Sequence, residues 1–143
     1  MQASAIVQTY LDEVAAIVVA GDWEAYTDVV CRPFTMITHS GTLSFATPDD
    51  IRCIYDGFRD LLRSQHVTNF IRLVDTAHQI EHDLISASYV THLISGGTRI
   101  MDPVTSGITL RLDGNRWRAA SITNALSNSR WPLLMSRPGD EAL

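Results

Sequence analysis

The stretch LRLDGNRWRAAS (Leu110–Ser121) decides the fold. Asp-Gly between alternating apolar and polar residues marks a β-hairpin. Two registers are open. A two-residue turn at Asp113-Gly114 sets Leu110 opposite Trp117, whereas a turn at Gly114-Asn115 sets Leu112 opposite Trp117 and Arg111 opposite Arg118. In both, strict alternation puts Ile108, Leu110, Leu112, Trp117 and Ala119 on one face, with arginines on the other. The hairpin therefore covers a core on one side. Deeper along its second strand, Ala120 and Ile122 are expected to continue the outer face.

Working outward from the hairpin, a period of two runs through VTNFIRLVDTAHQI, LISASYVTHLIS, TRIMDPVTSGITLRL and RWRAASITNAL. These segments predict four antiparallel strands joined by short turns. Ser95-Gly96-Gly97-Thr98 suits a tight turn, and Pro103 and Gly107 imply a bulge or bend in the third strand.

Before Val67 the period is helical. Ile6, Val7, Tyr10, Leu11, Val14, Ile17 and Val18 form one stripe, which Gly21 closes. Asp22 can cap a short helix, WEAYTDVV, that buries Trp23, Tyr26 and Val30. PFTMITHS and GTLSFAT read as a short strand pair. In the next helix Thr47 is the N-cap, Pro48 the first helical residue, and Asp49 and Asp50 lie where the helix dipole favours them. Its stripe is Ile51, Ile54, Tyr55, Phe58 and Leu62. The tail, residues 128–143, begins amphipathic and ends polar. Three helices segregated to one face of a strongly bent antiparallel sheet make an α+β architecture, a cone with an internal pocket.

Composition bounds what the chain does. Its 143 residues suit a single domain, 1–143, whose core needs no disulfide or metal support. A net charge of −5 argues against nucleic acid and against anionic membrane as partners. Cys31 and Cys53 are too few for a disulfide framework and read as buried free thiols. No basic residue precedes Arg32 and no segment reaches the roughly 18 consecutive apolar residues of a membrane span, so a cytoplasmic protein is expected. All eleven basic residues are arginine. Without lysine, Schiff-base chemistry, a Walker-type phosphate loop and pyridoxal phosphate attachment are excluded, and no cofactor is implied.

AGDWEAYTDVV, THSGTLSFATPDDIRCIYDGF and LDGNRWRAASIT together resemble the nuclear-transport-factor-2-like superfamily, particularly its SnoaL-like branch, over residues 3 to 127. That resemblance implies the cone, a pocket inside it, and dimerisation through the outer sheet face. It does not choose among ketosteroid isomerases, polyketide cyclases, dehydratases, epoxide hydrolases, non-catalytic subunits and transport adaptors. The late catalytic aspartate of the cyclases is missing, because the last strand carries Ser121, Thr123 and Asn124. The Arg-x-Asp pattern of the epoxide hydrolases is missing too, since Arg99 is followed by Ile-Met-Asp.

Candidate chemistry rests on three residues: His39, at the end of the first strand where the family builds its pocket mouth, and His92 and Asp102. His39 can act as a general base near neutral pH or be a surface loop residue. Strand alternation puts His92 with Val90, Ile94 and Arg99, against Tyr89, Thr91, Leu93, Ile100 and Asp102, and leaves open which set looks inward. Asp102 is either a desolvated acid or the cap of a turn before Pro103. Tyr10, Tyr26, Tyr55, Tyr89 and Trp117 are the expected pocket lining. His78-Gln-Ile-Glu-His82 fits a zinc pattern, but that chemistry needs a helix, where residues four apart lie about 6 Å from each other. On a strand they span about 13 Å, so no metal is expected. The sequence thus predicts a cone binding a small, largely apolar molecule, with a His/Asp-assisted isomerase or dehydratase as its enzymatic form. A non-catalytic accessory or scaffold dimer is the alternative.

Overall fold

A computed structural model describes residues 2–124 of the chain. Its order is α1 (Ala3–Ala20), α2 (Trp23–Asp28), β1 (Val30–Thr38), β2 (Gly41–Phe45), α3 (Pro48–Ser64), β3 (Asn69–Glu81), β4 (Leu84–Ser95), β5 (Thr98–Arg99), β6 (Val104–Asp113) and β7 (Arg116–Asn124). The end of the fourth predicted strand and the tail 128–143 lie outside the described residues.

The helices start and stop where their side chains dictate. Gly21 ends α1 in the left-handed region at φ 76°, its N–H donating to the Ile17 carbonyl. A Cβ there would stand 2.7 Å from Nη1 of Arg59, which itself donates to the Val18 carbonyl at 2.6 Å. Asp22 caps α2 by accepting from the Ala25 N–H. Thr47 and Asp50 form a reciprocal capping box on α3, with Pro48 inside its first turn. Leu61 rather than Leu62 completes the buried stripe of α3.

Strand order is β2-β1-β7-β6-β4-β3, with β5 a short partner of β4. The predicted meander is present: β3, β4, β6 and β7 pair antiparallel in sequence order. The sheet is nevertheless mixed, because β1 joins β7 in parallel. The pairing joins strands from the two ends of the chain, a relation no local pattern encodes. At the hairpin tip the register is Leu112 with Trp117 and Arg111 with Arg118, so the turn is Gly114-Asn115.

Bulges bend this sheet, and of the two positions expected to mark a bulge or bend only Pro103 does. Pro103 falls in a break between β5 and β6, while Gly107 pairs regularly with Ser88 and Thr123. Register shifts fall between Val30 and Thr35 on β1, between Val74 and Thr76 and between Gln79 and Glu81 on β3, and, on β7, between the partners of Thr109 and Leu110. The β7 bulge reverses the side-chain alternation. Ile122 consequently pairs with Ile108 and Met36 and packs on the core, not on the outer face.

Helix α1 is long and apolar enough to cross a membrane by length and composition alone. Here Val7, Tyr10, Leu11, Val14, Ile17 and Val18 are buried, and the helix lies against β3. Gln8 of α1 ties down the free edge of that strand. Its side chain donates to the Arg72 carbonyl at 2.7 Å and accepts from the Val74 N–H at 2.9 Å.

Candidate functional site

The concave face is aromatic on the helical side. Trp23 and Tyr26 of α2 meet Tyr55 of α3, with ring centroids 5.2 Å apart for Trp23–Tyr55 and 5.1 Å for Tyr26–Tyr55. Tyr10 of α1 donates its hydroxyl to the Val29 carbonyl at 2.6 Å. Burial pushes the Tyr10 and Tyr26 hydroxyls well above the usual tyrosine range, against the opposing pull of the Arg72 guanidinium. Both stay neutral donors.

The sheet side carries polar groups that alternation turns inward. Tyr89, Thr91 and Leu93 of β4 are buried, whereas Val90, His92 and Ile94 are only half-buried. This settles which face looks into the cone. Arg72 pairs with Thr91, and Tyr89 with Ser106, which in turn pairs with Asn124. All of these side chains are buried. The Arg72 guanidinium lies 5.0 Å from the Phe70 ring centroid and 5.5 Å from that of Tyr89, and donates to the Leu11 carbonyl at 3.3 Å. Ser106 donates to the Asn124 carboxamide oxygen. Nε of Arg72, Oγ1 of Thr91 and Nδ2 of Asn124 are buried without a hydrogen-bond partner.

The expected site residues divide into two groups. Tyr10, Tyr26, Tyr55 and Tyr89 are brought together inside, and Trp117 sits half-buried opposite Leu112 at the core margin. His39, His92 and Asp102 are not brought together. His39 is exposed in the tight turn after β1. His92 pairs with Ile71, and its Nδ1 lies 3.3 Å from Arg99 on the convex side. Asp102 is exposed where the chain leaves the sheet before Pro103. His78 and His82 are likewise exposed, on β3 and the turn that follows it. Cys31 and Cys53 are free and half-buried rather than buried, and desolvation pushes both thiols up.

Two clefts are lined by described residues. One of about 250 Å³ opens between the end of α1 and the start of β3, with Arg59 and Phe70 in its walls. The other, about 230 Å³, lies beside Trp23, Arg32 and Pro48. None of His39, His92 and Asp102 lines either cleft.

Sequence reasoning passed over Arg72 and Ser106. Phe70 and Val74 share a face with Arg72, so a charged residue at an inward position of an apolar strand was the signal. It was unreadable because both faces of that strand are apolar.

Solved structures with this arrangement identify the fold. An NTF-2 like protein of unknown function from Shewanella oneidensis superposes with a TM-score of 0.64 at 10% identity, over 85% of this chain and 96% of that one. The fold is NTF2-like. A domain of unknown function with a cystatin-like fold from Nostoc punctiforme matches at a TM-score of 0.63 and 12% identity, covering 87% of this chain and 77% of that one. An NTF2-like protein with a cystatin-like fold from Novosphingobium aromaticivorans reaches 0.58 at 18% identity, over 91% and 87% of the two chains. No protein-family model and no curated protein matches the sequence.

Proposed function

We propose that this NTF2-like protein, of the SnoaL-like kind, binds a small molecule inside its cone. The apolar body of the ligand lies against Tyr26, Tyr55 and Tyr89, and its polar part faces Thr91, Ser106 and Asn124. The observation that carries this reading is the pair of orphans, Thr91 Oγ1 and Asn124 Nδ2, both buried and unpartnered. Buried polar atoms nearly always find partners, and leaving one unmade costs about 1–3 kcal/mol. A guest with complementary acceptors restores those bonds. Because His39, His92 and Asp102 do not converge, the proposal rests on binding and not on His/Asp acid–base turnover. A cytoplasmic setting belongs to the same proposal, since α1 directs its apolar stripe to the core.

The test is two-dimensional NMR of the full chain against a set of small aromatic and aliphatic compounds. Shifts gathered at Tyr89, Thr91, Ile108 and Asn124 are expected. Shifts confined to exposed residues overturn the reading.

One further observation favours the scaffold alternative. Ile71 and Leu73 are exposed on the convex face at 38% and 50%, beside half-buried Val90. Such a patch fits a homodimer through the outer sheet face, with a second copy as its cover. Light scattering is expected to give twice the 15.9 kDa chain mass, and Leu73→Arg to reduce it to one chain. A wild-type monomer at micromolar concentration ends this reading.

A further inference from the structure

Resting on the proposal that the cone holds a small molecule, we infer that Arg72 receives an anionic group, making the ligand a small organic acid whose carboxylate seats between the guanidinium and the Thr91 hydroxyl. Arg72 is only 5% exposed. A guanidinium cannot shed its charge to suit an apolar setting, so burial must be compensated by partners. Four ion pairs occur among the described residues, Arg52–Asp56, Arg63–Asp60, Arg116–Glu13 and Arg118–Asp113, and Arg72 takes part in none. Its hydrogen-bond acceptor is one neutral carbonyl, that of Leu11, and Nε is left unpaired.

The neighbouring groups do not supply the missing charge. Tyr10 and Tyr26 are held protonated by burial. The Phe70 and Tyr89 rings offer π faces, worth about 2 kcal/mol when desolvated, less than the several kcal/mol that burying an ion costs. Among the described residues no carboxylate pairs with this inward-facing cation. A planar carboxylate matches the guanidinium fork. Thr91, directly opposite in register, adds the second donor.

The cation is also fixed from behind. Gln8 brackets the backbone of β3 on both sides of Leu73, through the Arg72 carbonyl and the Val74 N–H. A receptor held this way loses little freedom when it binds.

Benzoate and benzamide share a shape and differ in charge, so they serve as paired probes by titration calorimetry and NMR on the full chain. Wild type is expected to bind benzoate at least tenfold tighter than benzamide. Arg72→Met is expected to abolish that preference while melting at the same temperature or higher, because an apolar chain replaces an unpaired charge. Thr91→Val, nearly isosteric, is expected to weaken benzoate several-fold and benzamide less, and it serves if Arg72→Met does not fold. Equal binding of both probes to wild type overturns the anion site while leaving the small-molecule reading intact. Absence of interior binding by either probe overturns both. A lower melting temperature for Arg72→Met with the benzoate preference retained assigns Arg72 to the fold alone.

Discussion

Each face of the β3–β4 pair carries residues whose polarity runs against their surroundings. On the concave side Arg72 and Thr91 are buried among aromatic rings. One residue away in each direction, Ile71 and Leu73 stand in solvent on the convex side. A buried charge and an exposed apolar patch both cost free energy in the isolated chain. Burial on one face and exposure on the other follow from α1 lying against only one side of β3.

The sharpest way to break that comparison is truncation on each side. Leu93 is 1% exposed on the concave face, and Leu93→Ala is expected to cost about 2–5 kcal/mol in denaturant unfolding. Leu73→Ala, on the half-exposed convex side, is expected to cost about 1 kcal/mol or less at concentrations where the chain is monomeric. Equal losses would erase the distinction between the faces.

Gln8→Ala tests whether the edge of β3 is held from α1. Two hydrogen bonds to backbone groups disappear, and a loss of about 1–3 kcal/mol in unfolding free energy is expected. A loss of a few tenths would show that solvent serves that edge equally well.

The buried tyrosines sharpen the interior through pH. Their folded-state ionisation lies above the ordinary 10.0, so the folded protein keeps protons that the unfolded chain gives up. The contribution is whole below pH 10 and is lost as pH rises beyond it, by about 1.4 kcal/mol per pH unit for each tyrosine. Tyr26→Phe removes one such share of the slope between pH 10 and 12. Identical slopes in variant and wild type would refute the burial assigned to Tyr26.

The smallest expected effect is at Thr91. Thr91→Val replaces an unpaired buried hydroxyl with a methyl group, so stability without ligand is expected to be unchanged or raised by up to about 1 kcal/mol. A loss beyond about 1 kcal/mol would mean that the hydroxyl already has a partner in the empty protein.

Much of the fold was legible in the chain because it depends on neighbours in sequence. Gly21, Asp22, Thr47 and Pro48 act on backbone groups a few residues away, and the Asp113-Gly114-Asn115 segment determines its own hairpin. The burial of Tyr10, Tyr26 and Tyr55 was legible for the same reason, since helical periodicity turns them to the apolar side. The histidines were not. His39 and His92 have the chemistry of a site, but a turn and a convex face put them outside it.

Sequence alone was enough for the caps, nearly all of the helix stripes and the presence of the Asp113-Gly114 hairpin, because each arises from interactions within a few residues. Tertiary structure alone decided the parallel seam of β1 with β7, the bulge that turns Ile122 inward, and the inward face that buries Arg72 beside Thr91. Alternation says that two sets of side chains point opposite ways, and it carries no sign. The sign comes from where α1 lies down on β3, and that contact joins residues about sixty positions apart, as Gln8 and Arg72 do.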